Sequence, residues 1–593
     1  MQFIKTLLAS TLGVFLAFFI LFLVTLIMVA SSQRESEPFV RDGSVLHIEL
    51  GGVLAERTSP DPFAEIFATG QRPTSLTEVR NNLRKAAADD RISGVWLDMN
   101  ALSAPWSRLH ELHSELERFK ESGKFIYAST DDLGFTQQSY YLATVADSIF
   151  SPPLTFFQFE GMHIQGQFLK NMFDKIGVDF TVINTGDHKS AGDGFTRTSF
   201  SDADREQLQP IINQFANQFL SAVSNRSGLS RDELDTILNE RPYFTIESVQ
   251  DFNFFDAFAY PDEVKAKLEQ RVKDEGHRRF NLVANHRYTR VKPESAGLDR
   301  MDNRNRIAVL HLNGPIEPMS DPVFPGSSQA SITATNFYDD FESILDDESV
   351  KAVILHVNSP GGAASTSELI WAAIQNRDRE IPVLTYMGSV AASGGYYIGM
   401  AADEVFANPS TITGSIGVIS LWPNASELLN ERLGITFDEI TSHEHAGWLS
   451  PDRALSPAAE RAFRDFNEET YEIFLDRVAA SRAMDVEEIR PLAGGRVYTG
   501  LDAAEVGLID GVGTLDDVIA RAAELAELET WSIARFPQPK TFIETLLASS
   551  GTSVKGMFMR SNPALEQLHW IQSVIEGKRM QNLLIMPYDL ILE

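Results

Sequence analysis

The feature that most restricts the fold of this chain is an internal repeat at an offset of 256 residues. Residues 140–162, YYLATVADSIFSPPLTFFQFEGM, align without a gap with residues 396–418, YYIGMAADEVFANPSTITGSIGV. Upstream, 93–100 resembles 350–358, and 45–50 resembles 309–313. Three matches in the same order predict a tandem duplication, so most of the chain should consist of two copies of one fold.

Each copy alternates short apolar runs with amphipathic segments. The runs AVILHV (352–357) and VLTYM (383–387) are typical of buried strands, and ATNFYDDFESILDD (334–347) is typical of a helix. Strands separated by helices indicate βαβ units, and therefore an α/β fold. Long amphipathic helices are predicted at 201–229 and at the corresponding segment 456–484.

The predicted organisation has five parts, which follow from the repeat and from changes in composition. They are an N-terminal anchor (1–33), a first repeat (40–288), a charged linker containing Pro and Gly (289–306), a second repeat (307–540) and a helical tail (541–593).

The N-terminal anchor is predicted from residues 6–30, which carry no charge. A transmembrane helix needs about 20 apolar residues, and the run exceeds the usual apolar core of a signal peptide. Lys5 and the amino terminus precede it, whereas Arg34, Glu35 and Glu37 follow, so the positive-inside rule predicts a cytoplasmic N-terminus and a large body outside. A cleaved signal peptide is the alternative, and ASSQ (30–33) would permit cleavage.

Charge and cysteine content exclude several classes of protein. The net charge of -31 argues against nucleic acid as a partner, because phosphate binding requires clustered Lys and Arg. The chain has no cysteine, which excludes disulfides, thiolate catalysis and Cys-ligated metals.

The two copies have lost different polar residues. Ser393 lies among Ala and Gly residues where a strand is predicted to lead into a helix, a setting that suits a nucleophile. The first copy has Gln137 at this position. Conversely, the first copy has Lys189 where the second has Glu444. This complementary loss predicts one composite site, with the serine from one repeat and the lysine from the other.

A Ser-Lys pair is a known variant of the catalytic triad. Lysine acts as a base if burial lowers its pKa from about 10.4 to roughly 7–8. Consecutive glycines after a strand free their backbone N–H groups for an oxyanion. Gly361 and Gly362, together with Gly394, are the predicted oxyanion hole.

The motifs NSPGG (358–362), AASGGYY (391–397), NPSTITGSIGV (408–418) and HKSAGDGF (188–195) resemble those of the signal peptide peptidase A family, long duplicated type (protease IV, peptidase family S49). The resemblance covers most of residues 40–530 and implies a Clp-protease/crotonase fold in each repeat. It implies that Ser393 is the nucleophile, that Lys189 is the general base and that Ser415 holds the lysine amine. One departure is Gly194, which follows Asp193 where the family usually has proline.

The same resemblance implies the biological setting. It implies a serine endopeptidase that degrades signal-peptide remnants and other apolar peptides, without a metal or other cofactor. It also implies a homotetramer in the bacterial inner (plasma) membrane, with a single membrane pass and the catalytic body on the periplasmic or extracytoplasmic side.

Other interpretations compete with these predictions. Ser393 could be only a helix N-cap, and His188 could replace Lys189 as the base. His443 and His445 have the spacing of a metal pair but are more typical of a surface turn. The histidines of the helix around 110–113 are expected to be solvated. The competing functions are an acyl-CoA-processing enzyme of the crotonase fold and a non-catalytic membrane scaffold.

Overall fold

The computed structural model describes most of the two repeats. It covers residues 37–57, 74–130, 134–240, 243–245, 252–298, 303–318, 331–538 and 583–585, and the single positions 13, 16 and 17. The predicted anchor at 6–30 therefore lies outside the described residues except at these three positions. Within the described ranges, no helix combines the length and apolar character needed to cross a membrane.

The first repeat alternates strands and helices. Its strands are β1 (Ser44–Ala55), β2 (Thr74–Ser75), β3 (Ile92–Ser103), β4 (Phe125–Thr130), β5 (Gly134–Phe135), β6 (Ser148–Ser151), β7 (Phe156–Gln158), β8 (Asp179–Asn184), β9 (Tyr243–Thr245), β10 (Ala257–Phe258) and β11 (Asn281–Ala284). Its helices are α1 (Leu76–Ala88), α2 (Trp106–Lys120), α3 (Gln137–Ala143), α4 (Lys170–Ile176), α5 (Asp193–Thr196), α6 (Asp202–Ser227), α7 (Arg231–Glu240), α8 (Pro261–Asp274) and α9 (Asn285–Tyr288).

The second repeat follows the same plan. Its strands are β12 (Arg306–Asn313), β13 (Val350–Ser359), β14 (Gly361–Ala363), β15 (Val383–Ala392), β16 (Glu404–Ala407), β17 (Ile412–Gly414), β18 (Ile419–Asn424), β19 (Val497–Thr499), β20 (Gly511–Val512) and β21 (Ser532–Phe536), with β22 (Leu583–Ile585) near the C-terminus. Its helices are α10 (Ala334–Asp346), α11 (Ala364–Gln375), α12 (Gly394–Gly399), α13 (Pro457–Arg482), α14 (Val486–Ile489), α15 (Gly500–Glu505) and α16 (Leu515–Leu525).

Strand order confirms the duplication. The main sheet of the first repeat runs β10-β6-β4-β3-β1-β11, and that of the second runs β20-β16-β15-β13-β12-β21. All these neighbours are parallel. Parallel sheets need helical crossovers and bury both faces, which explains the apolar runs seen in the sequence. The predicted α/β architecture is therefore confirmed.

The two predicted long helices are present as α6 and α13. Each spans 26 residues and begins after a serine, Ser201 or Ser456, whose hydroxyl accepts a hydrogen bond from the backbone N–H three residues later. This N-cap satisfies one of the backbone donors that a helix start leaves unpaired. The equal lengths support the alignment that placed Lys189 just before one helix and Glu444 just before the other.

The repeats are joined through a polar interface that sequence reasoning did not predict. Ser107 on α2 bonds Ser389 on β15 at 2.9 Å, and Glu111 accepts the hydroxyl of Tyr386. His110 contacts the Asn408 amide at 3.2 Å, and burial lowers its pKa to about 4. The expectation of a solvated histidine pair on this helix is therefore wrong, because α2 packs against the other repeat.

A third sheet connects the repeats at the site, with the strand order β14-β22-β18-β8. Strand β8 belongs to the first repeat and pairs antiparallel with β18 of the second, from Ile419 opposite Asn184 to Asn424 opposite Asp179. The loop that follows β8 and contains Lys189 is thereby placed against the second repeat. Of the predicted helical tail, the structure describes only 583–585, and these residues form a strand instead of a helix.

Candidate active site

Ser393 occupies a strained turn between a strand and a helix, as the sequence predicted. Strand β15 ends at Ala392, α12 begins at Gly394, and Ser393 between them has φ 54° and ψ -113°. The Ser393 N–H donates to the Gly414 carbonyl, and its own carbonyl accepts from Tyr397 N–H, both at 2.8 Å. A non-glycine residue in this conformation costs about 1–3 kcal/mol, and such strain concentrates at functional sites.

Lys189 reaches Ser393 from the other repeat, although 204 residues separate them in the chain. Its loop follows β8 and is fixed to the second repeat, where Thr185 N–H donates to the Val418 carbonyl at 3.0 Å. The Lys189 Nζ lies 2.6 Å from the Ser393 Oγ, and both side chains are fully buried. The structure thus brings together the two residues that the repeat comparison singled out, within a single chain.

The amine of Lys189 has two further partners, both on Ser415. It donates to the Ser415 carbonyl at 2.8 Å and lies 3.0 Å from the Ser415 Oγ. Ser415 also has a positive φ, 53°, which lets its carbonyl and its hydroxyl face the same amine. Burial lowers the pKa of Lys189 well below its ordinary value, since the ammonium form would lose its hydration.

The three predicted oxyanion glycines lie beside Ser393. Gly361 and Gly362 form the start of β14, with φ of 103° and 155°. A Cβ on Gly394 would lie 3.2 Å from both the Gly361 Cα and the Gly362 N. The Gly361 N–H donates to the Ser359 Oγ at 3.2 Å, so Gly362 and Gly394 are the better placed donors for an oxyanion.

Several residues that support Lys189 were missed by the sequence analysis. The Asn184 amide donates to the Lys189 carbonyl at 2.9 Å. The next residue, Ser190, donates to the buried carboxylate of Asp204 at 2.5 Å, and Gln207 donates to the same oxygen at 3.1 Å. Asp204 also forms the capping box of α6 with Ser201, and a Ser-x-x-Asp pattern before an apolar helix is a signal that the sequence did contain.

The turn where the chain departs from the family pattern is held by its backbone. Asp193 begins α5, and the Gly194 carbonyl accepts from Leu169 N–H at 2.6 Å. Burial, together with the negative charge of Asp204, raises the pKa of Asp193 to about 6. This turn is therefore anchored without the proline.

In the first repeat, the position that corresponds to Ser393 is occupied by Gln137, which makes different contacts. Gln137 is buried and binds the backbone of Gly161 twice, accepting from its N–H at 3.1 Å and donating to its carbonyl at 3.0 Å. Phe159, one repeat length before Ser415, is also buried there. Glu444, the counterpart of Lys189, is exposed. The counterpart of the site, which would combine position 137 of the first repeat with position 444 of the second, therefore has neither a serine nor a lysine.

The histidines considered above do not enter the site. The His188 Nε2 is buried without a hydrogen-bond partner among the described residues, while Lys189 occupies the contact with Ser393. His443 and His445 are exposed. Across the described ranges, no three His, Cys, Asp or Glu side chains are grouped in a way that could hold a metal ion.

Comparison with known proteins identifies the family. Residues 118–275 and 375–529 match the sequence model of peptidase family S49, once in each repeat. The chain is 32% identical to the chloroplastic serine protease SPPA of Arabidopsis thaliana, over 92% of this chain and 79% of that protein. It is 30% identical to Protease 4 of Salmonella typhi (93% and 90%) and 28% identical to Protease 4 of Haemophilus influenzae (90% and 88%). With a family match in both repeats and relatives aligned over most of their length, the chain belongs to peptidase family S49 and is a serine protease of the long signal peptide peptidase A type.

Proposed function

We propose that the chain is a membrane-anchored endopeptidase with a Ser393–Lys189 dyad, which degrades signal-peptide remnants and other apolar peptides close to the membrane. The observation that carries this proposal is the fully buried Lys189 amine, 2.6 Å from the hydroxyl of a strained strand-to-helix serine. The uncharged run at 6–30 supports an anchor in the bacterial inner membrane, with the body on the periplasmic side. The strand order shared by the two parallel sheets supports a Clp-protease/crotonase fold for each repeat.

The contacts of Lys189 fit a neutral amine. A neutral amine carries two hydrogens and one lone pair, and Nζ has three neighbours. The carbonyl and the hydroxyl of Ser415 can take the two hydrogens. The lone pair then points at the Ser393 Oγ, where it accepts the hydroxyl proton. Ser415 therefore orients the base, and burial keeps it deprotonated.

The reaction follows the general scheme of acyl transfer. The Ser393 Oγ attacks the scissile carbonyl while its proton moves to Lys189, and the oxyanion is bound by the N–H groups of Gly394 and Gly362. Lys189 then protonates the departing amine, which leaves an acyl-enzyme on Ser393. Lys189 next takes a proton from water while the water oxygen bonds to the acyl carbon. The bond between that carbon and the Ser393 Oγ then breaks, and Lys189 returns the proton to this oxygen, which releases the peptide acid and restores the neutral amine.

Replacing the nucleophile tests this function. In the Ser393→Ala chain, hydrolysis of a fluorogenic apolar peptide should fall by roughly 1,000-fold or more, as in other enzymes that lose a nucleophile. The full chain in detergent micelles is assayed with EDTA present. Ser426→Ala, at a half-buried serine two residues after β18, serves as the control. If wild type hydrolyses no apolar peptide, or if Ser393→Ala keeps its rate, the proposed activity is wrong, and the non-catalytic scaffold becomes the better interpretation.

The homotetramer finds support in an exposed segment of the second repeat, 434–449. Its counterpart in the first repeat is the chain around β8, where Gly177 and Phe180 match Gly434 and Phe437 at an offset of 257 residues, one more than in the main alignment. In the first repeat, this segment pairs with β18 of the second repeat. In the second repeat its counterpart is exposed, including Phe437 at 51% and Ile440 at 104%. Apolar side chains exposed in this way are typical of an interface. The segment 163–168 is the counterpart of β18 in the first repeat, and in a second copy it would provide the surface on which 434–449 packs.

A charge on the exposed segment tests this assembly. Phe437→Asp combined with Ile440→Asp should reduce the assembled mass of the full chain from that of a tetramer to that of smaller species, because burying two carboxylates in an interface is costly. Light scattering after size exclusion, with the detergent mass subtracted, gives the readout. Leu154→Asp, a change at a leucine that is 91% exposed, is the matched control. A wild-type chain that elutes as a monomer would contradict the proposed tetramer.

A further inference from the structure

Residues 277–292 form a basic segment in an otherwise acidic chain. Their sequence, HRRFNLVANHRYTRVK, contains five Arg or Lys residues and no Asp or Glu, whereas the whole chain has a net charge of -31. The five side chains are all exposed, at Arg278, Arg279, Arg287, Arg290 and Lys292. A local surface of one sign in a chain of the opposite sign indicates contact with a partner of complementary charge.

The first arginines of the basic segment lie beside the start of the folded body. Strands β1 and β11 pair in parallel, with Ser44 opposite Asn281, so the residues that precede the two strands lie at the same edge of the sheet. Arg278 and Arg279 directly precede β11. A Cβ on Gly43 would lie only 2.5 Å from the Arg279 carbonyl oxygen, which shows how closely the two stretches meet.

Both ends of the basic segment contact the stretch 37–43, which leads into β1. The Glu37 carboxylate accepts a hydrogen bond from the Lys292 backbone N–H at 3.1 Å. The Asp42 carboxylate lies 3.1 Å from the His277 Nδ1. These are the two acidic residues of the stretch, and each has a partner in the basic segment. The stretch therefore emerges from the body with arginine and lysine side chains on both sides of it.

The length of chain before Glu37 brings this surface close to the membrane. The predicted anchor, 1–33, ends four residues earlier, and four residues span at most about 14 Å. Charges in salt act over about 8–10 Å, so the basic segment comes within range of the lipid headgroups. Phe39, in the same stretch, is 82% exposed, and an apolar side chain at this level can enter the headgroup region.

We propose that the basic segment, together with Phe39, is a docking surface for anionic lipid headgroups, which holds the body against the membrane. The argument is charge complementarity. An anionic bilayer repels a body of strongly negative charge, and five cations beside the point of attachment offset this repulsion locally. The inference rests on the proposed membrane anchor, and it adds which face of the body meets the lipid.

Docking of this kind should depend on individual arginines and on salt. A basic residue near an anionic surface strengthens binding by about fivefold. Arg278→Gln combined with Arg279→Gln should therefore lower the ratio of docked to undocked body roughly 25-fold. Raising NaCl from about 0.1 M to about 1 M should also lower the ratio in wild type, because the screening length falls from about 10 Å to about 3 Å.

A single fluorophore in the basic segment measures the docked fraction. The chain has no cysteine, so His286→Cys, at an exposed position, accepts one label. The full chain is placed in nanodiscs of phosphatidylcholine, with or without phosphatidylglycerol, and a spin-labelled headgroup quenches the label at short range. Quenching should be strong only with phosphatidylglycerol, and weak again in the Arg278/Arg279 variant. Arg461→Gln combined with Arg464→Gln, at two exposed arginines of α13, is the matched control and should be quenched like wild type.

The outcomes separate this surface from the anchor and from the activity. Equal quenching in both lipids at low and high salt, which needs no variant, would refute docking while the anchor and the peptidase stand. If the full chain does not enter nanodiscs, the anchor is wrong, and docking is judged by flotation with vesicles of the same two compositions. Flotation only with phosphatidylglycerol, lost in the Arg278/Arg279 variant, supports the surface, and no flotation refutes it. A variant that lowers the assembled mass without changing the quenching would assign the segment to an interface between copies and refute lipid docking.

Discussion

Replacing Lys189 with methionine is expected to reduce peptide hydrolysis at neutral pH by roughly 1,000-fold or more, the loss usual when a member of a catalytic dyad or triad is removed. The contact that carries this expectation is the 2.6 Å between Nζ and the Ser393 Oγ. Without the amine, no described side chain at this position accepts the hydroxyl proton, and the serine remains a poor nucleophile. Methionine keeps a similar length and an apolar character, so the pocket stays filled.

Lys189→Arg separates the role of the base from that of a positive charge. Arginine remains protonated at every accessible pH, so it cannot accept the serine proton. It should be as inactive as Lys189→Met. In wild type, kcat/KM should rise with pH through the pKa of Lys189, and this rise should occur well below the ordinary lysine value of 10.5 because burial lowers that pKa. An arginine variant with substantial activity would show that the base lies elsewhere.

Burial of Lys189 should also make the free energy of unfolding depend on pH. The unfolded chain binds a proton at Lys189 below pH 10.5, while the folded chain takes it up only at a lower pH. Between these two pKa values the unfolded state carries more protons, so the free energy of unfolding falls as the pH falls, at about 1.4 kcal/mol per pH unit. Lys189→Met removes this term. It should therefore gain stability over wild type as the pH decreases through that window, which denaturant unfolding at several pH values would measure.

Much of the fold and of the site could be predicted because the two repeats of the chain can be compared with each other. The repeat predicted the duplicated α/β architecture, and the strand order of the two sheets confirms it. The repeat also exposed the unequal pairs, Ser393 against Gln137 and Lys189 against Glu444. The structure places Ser393 and Lys189 in contact, whereas Gln137 binds the backbone of Gly161. A serine or lysine that is absent from one copy can be recognised in the sequence because the other copy has it at the matching position.

The features that were missed depend on contacts between the repeats. A helix with histidines three residues apart has the pattern of a solvated face, yet His110 packs against Asn408. Asp204 could be recognised as a helix cap, but not as the partner of Ser190 beside the lysine. The strand at 583–585 lies far along the chain from β14, and local sequence contains no information on such long-range pairing. Periodicity predicts single elements well, whereas side-chain contacts across an interface depend on how the copies meet.

The position of Lys189 also depends on a close crossing of two loops, which leads to the second large prediction. Gly495 of the second repeat has φ +89°, and a Cβ at that position would lie 2.3 Å from the Lys189 N and 2.4 Å from its Cα. Backbone atoms cannot yield as a flexible side chain would, so Gly495→Ala must displace the lysine loop. Its neighbour Gly494 also has a positive φ, +68°, but a Cβ there would meet only the Gly186 Cα, at 3.7 Å.

Gly495→Ala is therefore expected to lower kcat by about 100-fold, since a shift of roughly 1 Å in a reacting group has that effect. KM should stay at the wild-type value, because the loop 494–495 does not include the strands β14 and β18 beside Ser393. Gly494→Ala is the matched control. It bears the same kind of strain, a left-handed conformation that costs alanine about 1–2 kcal/mol, without the clash against Lys189. Its kcat should remain within a few-fold of wild type.

The comparison of the two alanine variants distinguishes positioning from general destabilisation. Thermal unfolding of both variants measures the cost of the strained backbone, and kinetics measure the displacement of the base. If the close crossing positions the lysine, both variants should remain folded at the assay temperature but should differ widely in kcat. Equal losses of kcat would mean that strain in the loop 494–495, and not its contact with Lys189, controls the activity. The two adjacent glycines then separate the conformational role of glycine from its steric role, because a Cβ on Gly495 would meet Lys189 and a Cβ on Gly494 would meet the Gly186 Cα.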